Sequence, residues 1–381
     1  MIMRFPSMFP SAWMRQWIRG LQPRANHGWR TARAPSNSLV NSKRMARLCR
    51  ERLLDGGLHM YLQPVVDLHT GACAKVEALA RLQLEDGRVL SPAQFLPAFG
   101  VAELDRLFRD GLEQLLGHVR EWDAQGTRID VGINLPPTSL LNPACPGWVA
   151  SALSRHGIEP SRLTLELLET QDVDFQFHVA SVRSLKDLGV RLAMDDLGAG
   201  YSSLQRLAQL PFDVIKLDQS LTLNMRRDPL PTLCLVRSIV RLAAELGRLL
   251  VVEGVEDPGV IEAVLECGAR YGQGYGIARP MPAATLLAWK RDFRLAARNG
   301  EIRTFLGMLA RCSRLSRPTP QEAHSAGDDA VSRFLAGCGL SDSELARWYA
   351  QASVAGRLGS VGQADWMGWL EQQARVETTE E

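Results

Sequence analysis

Gly189-Val190-Arg191-Leu192-Ala193-Met194-Asp195-Asp196-Leu197-Gly198-Ala199-Gly200-Tyr201-Ser202-Ser203 is the stretch whose reading decides the fold. Residues 189–193 read as the start of a short buried strand, and the glycines and serines after Leu197 as a loop, so two adjacent carboxylates fall where the strand ends. Like charges this close raise each other's pKa and resist burial, and a divalent cation beside them relieves both problems. The competing reading is a helix cap at Asp196 with Asp195 in water. These residues alone leave both readings open.

Outward from this stretch the chain alternates helix and strand. On the N-terminal side, Met60–Leu68 and Ala74–Leu82 read as strands joined by His69-Thr70-Gly71, an antiparallel hairpin. Helix 102–121 then precedes strand 130–135, helix 147–155 precedes strand 163–167, and helix 175–188 leads into strand 190–195. On the C-terminal side, helix 201–208 precedes strand 214–218, helix 230–246 precedes strand 249–252, and helix 260–267 precedes a strand at Tyr271–Ile277. Gly189, Gly247 and Gly268 stand just past helices, as left-handed caps do.

Repeated strand-helix units imply a mostly parallel sheet, and about eight strands over roughly 230 residues is the size of a closed (β/α)8 barrel. An open doubly wound sheet is the competitor. Glu77, Asn134, Glu166, Asp195 with Asp196, Lys216, Glu253 with Glu256, and Gln273 each lie near the end of a different apolar strand. An open sheet would spread these ends along a line, whereas a barrel gathers them at one mouth. The expected fold is therefore an α/β, TIM-like (β/α)8 barrel with one antiparallel strand, followed by a C-terminal helical region.

A mouth holding Glu77, Glu166, Asp195, Asp196, Glu253 and Glu256 with few bases does not keep those groups ionised unaided. Carboxylates, the Asn134 carbonyl and no nearby Cys or His favour Mg²⁺ or Mn²⁺ over zinc. Two ions bridged by Asp195 would suit phosphodiester hydrolysis, with Lys216 orienting or deprotonating water or neutralising developing charge. Taken singly, Asn134 also reads as a turn residue, Lys216 as a partner of Asp218, and Gln273 as a loop amide.

Taken together these residues resemble the bacterial EAL-domain cyclic di-GMP phosphodiesterases, named for the Glu-Ala-Leu found here at 77–79. The resemblance covers about residues 45–295 and is carried in order by Gln63-Pro64-Val65-Val66, Glu77 to Arg81, Asn134-Leu135, Glu166 to Glu169, Asp195 to Ser203, Asp213 to Asp218, Glu253-Gly254-Val255-Glu256 and Gln273-Gly274-Tyr275. It implies a barrel with one antiparallel strand. It further implies that Glu77, Asn134, Glu166, Asp195, Asp196 and Glu253 bind two Mg²⁺ or Mn²⁺ ions. Lys216 and Gln273 would assist the attacking water, Arg81 and Gln63 would contact cyclic di-GMP, Glu256 would support the metal shell, and Glu169 would anchor the loop after Asp196. The implied product is linear pGpG. The runner-up is an EAL-type receptor, weak or inactive in catalysis, that holds cyclic di-GMP and signals to a protein partner. A third reading is a regulator working through protein contacts alone. The chain departs from the family pattern at Leu197 (usually Phe), Ala199 and Leu168 (Thr), Pro136 (Ser), Val252 (Ala) and Leu82 (Trp). Loss of a threonine hydroxyl would loosen the loop that sets the second metal, by about 1 kcal/mol.

The remaining sequence bounds the surroundings. Of 381 residues 46% are hydrophobic, ordinary for a soluble globular chain. The net charge of +2 hides a basic leader: residues 1–50 carry ten Lys or Arg and no acid, leaving 34 bases against 42 acids, a net −8, in the remainder. Residues 1–41 read as a basic, disordered leader, with Trp13, Trp17 and Arg15 leaving a peripheral membrane contact as the alternative. Residues 22–42, which reach the start of the barrel, have linker composition, and a helix is expected from about Ser42 to Leu54. Residues 42–295 read as the barrel and 296–381 as a helical region of unknown role. There a helix is expected at Arg298–Ser313, a linker at Pro318–Asp329, a capping box at Ser341–Glu344, and an apolar stripe at Trp366, Trp369 and Leu370. The seven cysteines include no Cys-x-x-Cys pair, which fits a reducing cytoplasm and excludes a disulfide framework. No apolar run reaches the ~18 residues of a membrane span, and no DNA partner is expected. Dimerisation through the barrel and a protein partner on the C-terminal helices are left open.

Overall fold

Strands whose two faces are both covered need apolar residues on both, and the central strands are largely aliphatic: Leu249–Val252 is so throughout, Val214–Leu217 departs at Lys216, and Leu163–Leu168 at Thr164 and Glu166. A computed structural model describes residues 37–168, 175–197, 207, 209–295, 301–315, 329–340, 343, 346–347 and 363–377. Strands β1 (Leu58–Asp67), β2 (Cys73–Gln83), β4 (Asp130–Leu135), β5 (Leu163–Leu168), β6 (Arg191–Leu197), β7 (Val214–Leu217), β8 (Leu249–Val252) and β9 (Tyr271–Gly272) close into a ring. Two-residue strands β3 (Val89–Leu90) and β10 (Met281–Pro282) lie beside β2 and β1. β1 runs antiparallel to both its ring neighbours, β2 and β9, and the other ring pairs are parallel. The expected eight-stranded barrel with one antiparallel strand is the observed fold.

Period-2 alternation then sorts the side chains. Val65, Ala193, Val214 and Val251, with Tyr271 against them, form a small apolar cluster of their own inside the ring. Two residues along the same face of these strands stand Gln63, Asp195, Lys216, Glu253 and Gln273. The intervening residues, among them Val66, Leu192, Ile215, Leu250 and Val252, belong to the larger core under the surrounding helices. The polar groups are thus one layer of the barrel interior, stacked on an apolar floor.

The expected strand at Tyr271–Ile277 pairs over Tyr271 and Gly272 only. Beyond it the Gln273 carbonyl accepts the Val255 N–H at 3.0 Å and the Val255 carbonyl accepts the Gly276 N–H at 2.9 Å, so the chain turns onto the loop after β8. A Cβ on Gly274 would lie 2.2 Å from the Val255 oxygen, so this approach requires glycine there.

Helix α1 (Asn37–Leu54) starts inside the span expected to be linker, and α2 (Val101–Ala124) packs Leu104, Leu107, Phe108, Leu112, Leu115 and Val119 on the barrel. α3 (Cys145–His156), α4 (Phe175–Lys186), α5 (Gln219–Asn224), α6 (Pro229–Glu245), α7 (Pro258–Glu266) and α8 (Ala283–Asp292) complete the surround. In the C-terminal region α9 spans Phe305–Leu315, α10 Asp329–Gly337 and α11 Gln363–Val376. α9 starts later than the expected residue 298 because Thr304 caps it, its hydroxyl accepting the Gly307 N–H at 3.0 Å. Residues 1–36, the expected helix at 201–208 save Leu207, and all of the capping box but Ser343 lie outside the described residues. Among the described residues no helix is long and apolar enough to cross a membrane, and none of the seven cysteines forms a disulfide.

Candidate metal centre at the barrel mouth

Lys216, on β7, is 1% exposed and sits at the middle of the polar layer. Its Nζ lies 2.7 Å from Glu166 Oε2, 2.7 Å from Glu253 Oε1, 3.0 Å from Glu77 Oε2 and 3.3 Å from Asp195 Oδ1. It is therefore no partner of Asp218, whose Oδ1 instead accepts the Ser220 N–H at 2.9 Å and caps α5. Glu77 is tied further: Oε1 accepts from Asn134 Nδ2 at 2.9 Å and Oε2 from Gln273 Nε2 at 2.7 Å. Gln273 Nε2 also reaches Gln63 Oε1 at 3.2 Å, and Gln63 Nε2 donates to the Ala278 carbonyl at 3.0 Å. The register explains the gathering, since Gln63 is opposite Glu77 and Asn134 is level with Glu166.

Adjacent residues on a regular strand face opposite ways, so Asp195 and Asp196 cannot both enter the mouth without a break in β6. The break is present. Met194 pairs with Ile215 and the next pairing is Leu197 with Leu217, which puts one extra residue on β6, a β-bulge. Asp196 sits there at φ 61, the left-handed region that Asp and Asn tolerate better than most residues, and its N–H donates to Asp195 Oδ1 at 3.1 Å. Oxygens of Asp195, Asp196 and Glu253 consequently lie within 4.8 Å of one another.

The charges are unequal in consequence. Burial raises the Glu166 carboxyl, but Lys216 and Lys75 outweigh it and hold the group down at about 2. Burial, then Asp195 and Asp218, push Asp196 up to about 8. Burial and like-charged neighbours raise Glu77, Asp195 and Glu253 despite Lys216. Burial lowers the Lys216 ammonium, yet its surrounding carboxylates, Asp195 first, carry it well above the ordinary lysine value. Five carboxyl groups against Lys75 and Lys216 can all ionise together only with further positive charge among them, the condition a bound cation meets. Four buried oxygens among these residues accept no hydrogen bond: Asn134 Oδ1, Asp196 Oδ1, Gln273 Oε1 and Glu166 Oε2, the last ion-paired with Lys216 without hydrogen-bond geometry. Acceptors left open in a layer of oxygen donors fit hard divalent cations.

Other expected site residues lie at different distances from this centre. Arg81 is half-buried beside the Tyr61 ring, its guanidinium 5.6 Å from the ring centroid, and donates to the Ala80 carbonyl. Glu256 is exposed and touches none of the clustered carboxylates; partial burial and Asp257 raise its carboxyl. Glu169 and the loop at 198–206, with Ala199 in it, lie outside the described residues. Two residues escaped the sequence reading. Lys75 lies 3.0 Å from Glu166 Oε1; its position two residues before Glu77 put it on the same inward face. Thr222, 1% exposed, donates its hydroxyl toward the Glu253 carbonyl at 2.8 Å, and nothing in its sequence context marks it.

The sequence model of the EAL domain matches residues 46–280. The chain belongs to the EAL domain family. It is 36% identical over 234 residues to the cyclic di-GMP phosphodiesterase RocR of Pseudomonas aeruginosa, covering 61% of this chain and 59% of that protein. The cyclic di-GMP phosphodiesterase PA2567 of the same species is 32% identical over 237 residues, 62% of this chain and 40% of that protein. Among solved structures, the PaMucR phosphodiesterase in complex with c-di-GMP superposes with a TM-score of 0.60 at 30% identity, over 64% of this chain and 99% of that one. The chain spans between about a third and three fifths of the length of the curated relatives it matches. The C-terminal helices fall beyond the family match.

Proposed function

We propose that this EAL domain hydrolyses cyclic di-GMP to linear pGpG with the help of two Mg²⁺ or Mn²⁺ ions, in the cytoplasm, where a nucleotide messenger is read. The observation that carries the reading is the single layer of oxygen donors at the mouth, Glu77, Asn134, Glu166, Asp195, Asp196 and Glu253, gathered around Lys216. The names of the relatives support it.

Bound there, divalent cations supply Lewis-acid activation of a water and charge stabilisation at phosphorus. The chain's own residues do the rest. Lys216, ringed by four carboxylates, offers its ammonium to the charge developing at phosphorus. Gln273, with Nε2 spent on Glu77 and Gln63, has its carbonyl oxygen open to orient a water. Arg81, half-buried beside Tyr61, would offer its guanidinium to the dinucleotide's phosphate or base.

The second reading, a receptor that binds without turnover, is favoured by Leu197 and Ala199, which replace the family's usual Phe and Thr beside Asp196. Turnover of cyclic di-GMP by the purified chain with Mg²⁺ and with Mn²⁺, beside Asp195→Asn, separates them. The expected outcome is pGpG from the intact chain and at least about a hundredfold loss in the variant. Tight binding with no linear product would establish the receptor instead, and no binding at all the protein-contact reading.

A further inference from the structure

Beneath the carboxylates lies an ammonium group that the proposed reaction does not use. Lys75 is 9% exposed, and its Nζ lies 3.0 Å from Glu166 Oε1, while Lys216 Nζ lies 2.7 Å from Oε2 of the same carboxylate. Both oxygens of a side chain that is 0% exposed are therefore engaged from two different strands, Oε1 by a hydrogen bond from Lys75 and Oε2 by an ion pair with Lys216. β4 makes room for this. Gly132, level with Glu77 in the register, has no side chain, and a Cβ there would come within 2.3 Å of Glu166 Oε1 and 3.4 Å of Lys75 Nζ. The terminal torsion of a glutamate is broad and nearly two-fold, so a carboxylate held at one oxygen still turns, whereas one held at both keeps its plane.

We propose that Lys75 is a positioning residue of this centre. By gripping Oε1 it fixes the plane of Glu166, and through Glu166 it fixes Lys216, around which Glu77, Asp195 and Glu253 are arranged. The inference rests on the divalent-cation reading given above. Two effects of Lys75 oppose each other. Its charge repels an incoming cation, and its grip orders the groups that would receive one. A charge alone would serve from many places nearby, but a two-sided grip in a cradle cleared to a bare glycine serves direction. Orientation therefore outweighs repulsion, and a neutral N–H donor at this position would keep most of the function.

The test uses the full chain with Lys75→Met and Lys75→Gln, which have the same charge and differ in the donor, and Gly132→Ala, which pushes Glu166 without altering Lys75. Mn²⁺ affinity is read from the electron paramagnetic resonance of free Mn²⁺, with kcat and KM for cyclic di-GMP and a thermal melt alongside. Lys75→Met is expected to weaken Mn²⁺ binding about fivefold or more and to lower kcat about tenfold with KM little changed. Lys75→Gln recovers most of both, and Gly132→Ala repeats the Met variant. Equal behaviour of Met and Gln, or Mn²⁺ bound as tightly or more tightly by Lys75→Met, would overturn the proposal. Should the Met variant fail to fold, undiminished Mn²⁺ affinity in Gly132→Ala would overturn it equally. If the intact chain does not turn over cyclic di-GMP, the reaction falls, while the Mn²⁺ measurements still decide what Lys75 does.

Discussion

Asp196 combines three costs in one residue: a positive φ, a like-charged neighbour on each side of its carboxyl, and burial to 2% exposure. A protein retains such a residue where activity needs it, and stability then improves when it is neutralised. Asn is the informative replacement, because it tolerates the left-handed conformation and cannot ionise, so folding at pH 7 no longer has to protonate the side chain. Asp196→Asn is expected to raise the melting temperature of the metal-free chain at pH 7 by a few degrees, about 1–3 kcal/mol, while abolishing the Mn²⁺-induced rise expected of the parent. Differential scanning calorimetry with and without Mn²⁺ checks both halves, and a lower melting temperature in the metal-free variant would refute the strain argument. The cost of adjacent carboxylates was legible in the sequence as soon as a strand was placed before them. The bulge that lets both enter the mouth was not, because it is a mismatch between β6 and β7, and no single strand carries it. Lys75 was hidden for a different reason. Its neighbours Ala74 and Val76 read as strand, but a buried lysine is the rarer outcome for that residue type until the carboxylate opposite it is known.

At the scale of the element, the β1–β2 hairpin shows how a short turn is secured. Asp67 Oδ1 accepts the N–H groups of His69 and Thr70 at 3.0 and 3.1 Å, and Oδ2 accepts Arg270 Nε at 2.8 Å, which joins the turn to the start of β9. Burial raises the Asp67 carboxyl, but the Arg270 bond and the two backbone donors together hold it below its ordinary 3.8. A carboxyl depressed in the folded state binds fewer protons there than when unfolded, so its contribution is complete above about pH 4 and is lost as the pH falls through the depressed value. Asp67→Ala is expected to cost about 1–2 kcal/mol in urea unfolding at pH 7 and clearly less at pH 3. An equal loss at both values would show that the carboxylate's charge is not what secures the turn. The hairpin was readable because Thr70-Gly71 is local turn chemistry. The end of β9 was not. Tyr271–Ile277 has the composition of a longer strand, and what stops it is Val255, brought alongside by the chain's return around the barrel.

For the whole molecule, closure of the barrel was readable from polar residues recurring at strand ends, since only a ring gathers them. The docking of the C-terminal helices was not, because its bonds join residues far apart in sequence and use backbone groups that carry no signature. Buried Glu262, on α7, accepts the N–H groups of Arg303 and Thr304 and the Thr304 hydroxyl, the last at 2.6 Å. Glu266 pairs with Arg311 at 2.7 Å and Arg314 at 3.2 Å on α9. Phe305 meets the rings of Phe334 and Trp369 edge-on, which ties α10 and α11 to the same seam. Arg226, in the segment after α5, completes the attachment. Its guanidinium reaches Asp257 Oδ1 at 2.6 Å, the Ala374 carbonyl at 3.2 Å and Glu377 Oε2 at 3.3 Å, while Glu377 Oε1 accepts the Phe305 N–H at 2.9 Å. Asp257 in turn caps α7 through the Val260 N–H at 3.0 Å, so one cation holds the start of α7 and the end of α11 together. Both Arg226 and Glu377 are mostly shielded, at 17% and 24% side-chain exposure, so their attraction is not lost to solvent screening. A region fastened this way unfolds with the barrel rather than before it. Arg226→Ala and Glu377→Ala are each expected to cost about 1–3 kcal/mol, and the double variant less than their sum by about 0.5–1.5 kcal/mol, because each removes the other's partner. Urea unfolding followed both by tryptophan fluorescence, with the contribution of Trp369 taken as the difference from Trp369→Phe because the chain has nine tryptophans, and by far-ultraviolet circular dichroism should give one coincident transition in the parent. A separate early fluorescence transition, or strictly additive losses, would mean that the C-terminal helices are attached to the barrel without being part of its cooperative unit.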